Sequence, residues 1–255
     1  MIKIISWNVN GIRACSKKGF ADFIAKERPQ IICLQETKAV EEQCLEIIEA
    51  HSSYKQTWHS AEKPGYSGVL TWHQTNPIEV LIGSGEKKYD REGRVIVLDQ
   101  GPFYLVNLYF PNGAASDDRH FFKMRFLKDI LKFFKDLDKK KPVIMTGDFN
   151  IAHKPIDIHD PIRLDGTSGF KPEEREWMDQ FVASGFVDTY RHLYPTAKDE
   201  YSWWSYRQGS RQRNKGWRID YFFVSDRIKE KIKSIKMHQQ VMGSDHCPLS
   251  LEVDL

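Results

Sequence analysis

A chain of 255 residues, 40% hydrophobic and 29% charged, has ordinary globular composition and can bury a full core as one domain over 1–255. Its net charge of +3 says little about partners, so a nucleic-acid contact would have to concentrate its cations locally. Four cysteines without a CxxC pair argue against a zinc knuckle or a disulfide scaffold, and no apolar run is long enough to span a bilayer.

Met1 leads straight into a strand-like run with no signal peptide, so the cytoplasm is the expected compartment. Strand patterns follow at Ile2–Trp7, Ile31–Gln35, Ser67–Trp72, Arg94–Asp99, Phe103–Phe110, Val143–Gly147, Tyr201–Tyr206, Arg218–Val224 and Leu249–Val253. Helical patterns fall at Gly19–Glu27, Val40–Ala50, Arg119–Leu137 and Pro172–Ser184. Early βαβ alternation predicts parallel pairing, and Gln100-Gly101-Pro102 predicts a hairpin, so the sheets should be mixed. Two packed mixed sheets covered by helices are expected.

The tips of these strands are polar. Gly147-Asp148-Phe149-Asn150 follows Pro142–Met145, and Asn8-Val9-Asn10 follows Ile2–Ile5. Glu36 follows Ile31–Leu34, and Ser244-Asp245-His246 precedes the last strand. On extended backbone, residues i and i+2 point the same way, so Asp148 and Asn150 should face one volume. Any one tip reads best as a turn or cap. Together they read as an active site at one edge of a sheet. Glu36, Asp148 and Asp245 with Asn8, Asn10 and Asn150 offer oxygen ligands only, which suits a hard cation such as Mg²⁺, with Glu36 as the first direct ligand. His246 would donate to a phosphoryl oxygen or move a proton, with Asp220 as its buried partner. His51 and His73 have no such setting, and Lys139-Lys140-Lys141 reads as a solvated turn.

The segment Tyr201–Arg218 interleaves Trp203, Trp204, Tyr206 and Trp217 with Arg207, Arg211, Arg213, Lys215 and Arg218. It fits a nucleic-acid reader. It fits a solvated basic loop with core tryptophans equally well.

In order along the chain, Ser6–Gly11, Leu34–Lys38, Asn107–Gly113, Gly147–Asn150, Trp217–Tyr221 and Gly243–Pro248 resemble the exonuclease III family of apurinic/apyrimidinic (AP) endonucleases, within the endonuclease/exonuclease/phosphatase superfamily. The resemblance implies a four-layer α/β sandwich with the site at one end of two facing sheets. It implies Mg²⁺-dependent incision of double-stranded DNA 5′ of abasic sites, with Mn²⁺ as a substitute metal. It further implies 3′→5′ exonuclease and 3′-phosphatase or phosphodiesterase activity on blocked 3′ ends. A monomer associated with the nucleoid would be the acting form.

By position, the resemblance makes Glu36 the metal ligand, with Asn8 and Asp245 nearby. Asp148 would orient or deprotonate the attacking water, with Asn150 positioning it. His246, held by Asp220, would contact the scissile phosphate, and Tyr109 and Asn112 would contact or support it. DNA contacts fall on Asn10, Lys38, Asn112, Trp203, Arg207, Trp217 and Ile219, of which Trp203, Trp217 and Ile219 would receive the baseless sugar. Ala115 and Arg207 depart from the animal members, which carry an inserting arginine and methionine there. The resemblance to prokaryotic members implies a chain that would begin at the catalytic core. Inositol-phosphate phosphatases and sphingomyelinases share the chemistry but should lack the Trp203–Arg218 hairpin. A silent DNA-binding module would not need the full catalytic set.

Overall fold

Twelve strands form in the computed structural model, which describes residues 1–255: β1 (Ile2–Asn8), β2 (Ile31–Gln35), β3 (Lys55–His59), β4 (Val69–His73), β5 (Glu79–Ile82), β6 (Val95–Asp99), β7 (Tyr104–Tyr109), β8 (Val143–Asp148), β9 (Phe186–Asp188), β10 (Asp220–Ser225), β11 (Ile232–Met237) and β12 (Leu249–Val253). They make two six-stranded sheets, ordered β11-β12-β1-β2-β4-β3 and β5-β6-β7-β8-β10-β9. Each is mixed, because β1–β2 and β7–β8 are parallel while the other neighbours are antiparallel.

The sheets pack face to face. Ile4, Ile31, Cys33 and Val69 of the first meet Ile96, Leu105, Ile144, Phe222 and Val224 of the second. Trp7, Ile32, Leu34 and Trp72 face the other way, onto Phe20, Phe23 and Ile24. Val106, Met145 and Phe223 face outward onto Phe126, Ile130, Phe134, Trp177 and Phe181. The expected four-layer α/β sandwich is therefore what forms.

The covering helix Asp117–Asp138 starts where Ser116 caps Arg119 N–H, with Asp117 and Asp118 in its first turn facing the positive end of the dipole. The spacing of Phe122, Phe126, Ile130, Leu131 and Phe134 predicts its apolar face; Phe126, Ile130 and Phe134 are buried, together with Leu127 and Leu137, while Phe122 and Leu131 are half-buried.

Alternation along the inner faces determines where the polar tips meet. Each inward row is apolar at one end, carries a hydroxyl or amide in the middle and ends in a reactive group: Ile4-Ser6-Asn8 on β1, Ile144-Thr146-Asp148 on β8 and Leu105-Asn107-Tyr109 on β7. The middle layer links the sheets. Gln35 Nε2 donates to Asn107 Oδ1 (2.8 Å) and to Ser6 Oγ (3.1 Å). Asn107 Nδ2 donates to Thr71 Oγ1 (3.1 Å) and to the carbonyls of Leu70 (3.0 Å) and Leu34 (3.3 Å).

Several expectations are corrected. Strands β3, β5, β9 and β11 lack the expected pattern: β5 is exposed along its whole length, β9 has three residues, and β11 carries a bulge between Ile232 and Ser234 that breaks the two-residue period. Tyr201–Tyr206 is no strand; it crosses the sheet ends, with only isolated bridges from Trp203 to Trp217 and His246. β10 begins at Asp220 rather than Arg218. The helix over Val40–Ala50 is interrupted at Cys44 (φ −127°, ψ 16°), and Gly19 (φ 82°) delays the next regular helix to Ala21. Lys141 is not merely solvated, since its ammonium grips both oxygens of Asp99 at 2.6 Å.

Replacing Asn107 by Leu removes the shortest of the Gln35 amide's bonds and takes a donor from Thr71 and from two carbonyl groups between the sheets. The variant is expected to lose about 3 kcal/mol of stability, read from the urea midpoint at unchanged slope. A midpoint equal to wild type would mean the sheets are held without this clasp.

Candidate active site

β1 and β8 end in the same local device. Asn10 N–H donates to Asn8 Oδ1 (3.0 Å), and Asn150 N–H donates to Asp148 Oδ1 (2.8 Å). Each strand closes in an Asx turn whose third residue is left-handed: Asn10 at φ 44° and Asn150 at φ 52°. The pairs Asn8/Asn10 and Asp148/Asn150 thus converge through a turn, not through strand alternation as the sequence suggested. Glu36 (φ 48°) and Lys38 (φ 50°) are left-handed as well. Four non-glycine residues in this region, gathered at one sheet edge, mark a place where the fold holds unfavourable backbone for a purpose. Gly147 allows the approach, because a Cβ there would lie 1.8 Å from Leu108 O.

A cavity of about 670 Å³ opens at this edge. Asn10, Glu36, Lys38, Tyr109, Asn112, Asp148, Asn150, Trp203, Arg207, Trp217, Ile219, Asp245 and His246 all line it. Asn8 and Asp220 lie just beneath, fully or almost fully buried. Every residue to which the resemblance gave a catalytic, metal or DNA-binding role is therefore in or under one cavity. Thr167, Ser168 and Gly169 also line it and were not singled out, although they sit in the turn-rich segment His153–Gly169.

Asn8 joins the two sheets at the cavity floor: its Nδ2 donates to Glu36 Oε1 and to Asp148 Oδ2, each at 2.9 Å. It presents its nitrogen to the carboxylates because its oxygen closes the turn. Lys38 Nζ lies 2.8 Å from Glu36 Oε2 and also bonds Asn10. Burial pushes the Glu36 carboxyl up, but Lys38 and the Asn8 amide outweigh it and hold the group below the usual range.

Asp148 and Asp220 face each other across β8 and β10 in direct register. Burial, and then the charge of Asp220, push the Asp148 carboxyl up to about 8. His246 stands between them, with Nδ1 2.8 Å from Asp220 Oδ2 and Nε2 3.9 Å from Asp148 Oδ2. Burial opposes its charge, but Asp220 more than offsets this and pushes the imidazole up to about 10. Ser202 Oγ donates to the same Asp220 oxygen at 2.7 Å, which aims the carboxylate. Burial, Glu36 and Asp148 hold the Tyr109 phenol well above its ordinary range, so it remains a donor.

One oxygen each of Glu36 and Asp148 and a ring nitrogen of His246 lie within 4.8 Å of one another. The two carboxylates of this set can hold a hard divalent cation, while His246, kept charged by Asp220, is placed as a donor rather than a ligand. Asp245 is more occupied: its carboxylate accepts from Asn10 Nδ2 (2.9 Å), Trp203 Nε1 (3.0 Å) and Ser244 Oγ (3.2 Å).

The opposite wall is apolar. Trp203 and Trp217 meet edge to face at 5.9 Å, packed with Ile219, Phe170 and Ala152. The aromatic–basic segment therefore divides. Trp204 is core, with Arg211 over its ring at 4.6 Å, and Arg211 is spent on the carbonyls of Ser244, Gln239 and Val241. Arg218 is buried against Asp157 and Asp188. Arg207, Arg213 and Lys215 remain exposed.

A model described as the Endonuclease/Exonuclease/phosphatase family matches residues 5–246. The chain belongs to the endonuclease/exonuclease/phosphatase family. This family member is 42% identical over 255 residues to the exodeoxyribonuclease of Bacillus subtilis (strain 168), covering 100% of both chains. It is 39% identical over 252 residues to the DNA repair nuclease APEX1 of Danio rerio, covering 98% of this chain and 81% of that relative. It superposes with a TM-score of 0.91, at 25% identity and with 100% of both chains covered, on the 3′ phosphatase NExo from Neisseria bound to a product DNA hairpin. These relatives place it in the exonuclease III branch of the family, and it is a hydrolytic nuclease. No helix is long and apolar enough to cross a membrane.

Proposed function

We propose that this nuclease is a Mg²⁺-dependent DNA repair enzyme that hydrolyses the phosphodiester on the 5′ side of abasic sites in double-stranded DNA. In the same site it trims 3′ ends as a 3′→5′ exonuclease and a 3′-phosphatase. It works as a monomer in the cytoplasm. The observation that carries this reading is a single cavity with a hydrolytic cluster on one side and the Trp203–Trp217–Ile219 wall on the other.

Glu36 would hold the cation with Asp245 beside it; Asn8, expected as an oxygen ligand, instead steadies the two carboxylates through its nitrogen because its oxygen closes the turn. The bound ion, Mg²⁺ or in its place Mn²⁺, would neutralise charge developing on the phosphoryl oxygens. Asp148, whose carboxyl is pushed up to about 8, would be ionised by the charge of the bound cation; it then orients the attacking water and accepts its proton, with its other oxygen fixed by Asn150 N–H. His246, braced by Asp220, donates to a phosphate oxygen from Nε2. Tyr109 aims a further donor at the same place, while Asn150 spends its donors on Asp148 and Phe110 O and is supported by Asn112 through a bond of 3.2 Å. Asn10 and Lys38 lie where the backbone enters the cavity, and Arg207 is exposed at the rim to wedge the duplex.

An abasic nucleotide has no base to unstack, so extruding it costs less than extruding an intact one. The two tryptophans and Ile219 then receive a bare sugar and obstruct a base. The exposed cations Arg207, Arg213 and Lys215 beside them favour a DNA backbone over a small phosphate ester or a lipid headgroup.

Asp148→Asn keeps the bond from Asn150 N–H but sets an amide N–H₂ against Asn8 Nδ2, and it cannot take the proton. It should lose more than about tenfold in kcat on an abasic duplex while its Kd for that duplex stays within about threefold. A smaller loss in kcat would remove Asp148 from the proton transfer. Trp217→Ala opens the wall, and the ratio of cleavage at abasic over intact sites should fall; an unchanged ratio would sink the sieve.

A further inference from the structure

Behind the cavity, and lining no part of it, lies a fully enclosed ion pair. Lys123 and Glu174 are each 0% exposed, and their charged atoms meet at 2.6 Å. They come from the two covering helices, Asp117–Asp138 and Pro172–Ala183. Such a pair adds little stability over well-packed apolar side chains of the same volume. What apolar side chains could not do is make its outward bonds.

Lys123 Nζ donates to Asn150 O at 2.8 Å. Glu174 Oε2 accepts from Gly169 N–H at 2.6 Å and from Lys171 N–H at 3.0 Å. The carbonyl of Gly169 returns to Ala152 N–H at 2.8 Å. Asn150 belongs to the hydrolytic cluster, and Gly169 belongs to the wall, where its Cβ position would lie 3.1 Å from the Trp217 ring. Asn150 is held in left-handed backbone by five bonds: N–H and Nδ2 to the Asp148 carboxylate, Nδ2 also to Phe110 O, Oδ1 from Asn112 and O from Lys123. Of the five, the bond from Lys123 alone leads through Glu174 to Gly169. Two backbone bonds, Ala152 N–H to Gly169 O and Phe149 N–H to Ile219 O (2.9 Å), run beside it from the turn to the wall.

We propose that the Lys123–Glu174 pair is a positioning device that makes the Asp148–Asn150 turn and the Thr167–Gly169 wall one rigid unit, and so sets the separation between the reacting phosphate and the sugar pocket. Neither residue touches substrate. The kinetic part of the inference rests on the abasic-DNA reading; the rigidity part does not.

The decisive variant is Glu174→Gln, which keeps the volume but sets an amide N–H₂ against the N–H of Gly169 or against Lys123. Amide hydrogen exchange at Gly169 and Asn150 should rise by about tenfold or more, with β1 amides unchanged. On an abasic duplex, kcat should fall by about tenfold with KM within about threefold, the split expected of lost alignment. The volume-matched apolar pair Lys123→Met with Glu174→Leu guards against a folding defect: it should melt within a few degrees of wild type and still turn over slowly. Unchanged exchange in Glu174→Gln, or wild-type kcat in the apolar pair, would overturn the proposal. If wild type itself leaves abasic DNA uncut, the functional reading fails, and the exchange experiment still decides the rigidity.

Discussion

The two sheets are held in one register by a polar layer inside an otherwise apolar sandwich. Hydrophobic burial drives the sheets together but is indifferent to small slides between them. The bonds of Gln35 to Asn107 and of Asn107 to Thr71 and the Leu34 and Leu70 carbonyls are directional, and they cross from one sheet to the other. Each lies one step in from a reactive tip: Gln35 precedes Glu36, and Asn107 is two residues before Tyr109. Asn8 spans the sheets one level higher, with one amide nitrogen on two carboxylates. Take this alignment away and Glu36 and Asp148 belong to different surfaces.

Alignment has a cost, which the same residues contain. Asp148 faces Asp220 in register, two carboxyls out of water, and Asp148 is pushed up to about 8 as a result. His246 between them makes the group tolerable, and Ser202 gives Asp220 a further donor. The left-handed backbone at Asn10, Glu36, Lys38 and Asn150 is a second cost, met by hydrogen bonds at each turn. Charge and strain concentrate where phosphodiester chemistry needs fixed donors and acceptors.

Most of the site was legible because its members sit in short strings with distinctive composition. Gly147-Asp148-Phe149-Asn150 and Ser244-Asp245-His246 stand out after or before apolar runs, and the structure brings Asp148, Asn150, Asp245 and His246 to one cavity. The reason they converge was not legible: alternation predicted a shared face, whereas Asx turns do the work at Asn8 and Asp148. Composition also could not separate Arg211 and Arg218, spent on carbonyls and buried carboxylates, from Arg207 at the rim. Strand β11 escaped because its bulge spaces Ile232, Ile235 and Met237 unevenly. Lys123 escaped because a lysine on a helix reads as solvent-facing until its carboxylate partner, far along the chain, is placed beside it.

The central claim is that one cavity joins a cation-assisted phosphodiester hydrolase to a pocket for a baseless sugar. The most direct measurement maps the cut in a labelled duplex carrying a single tetrahydrofuran abasic analogue, beside an intact duplex, with Mg²⁺ and with EDTA. Cutting immediately 5′ of the analogue, leaving a 3′-hydroxyl, abolished by EDTA and absent from the intact duplex, is the expected result. Cutting on the 3′ side, equal cutting of both duplexes, or cutting that persists in EDTA would contradict it.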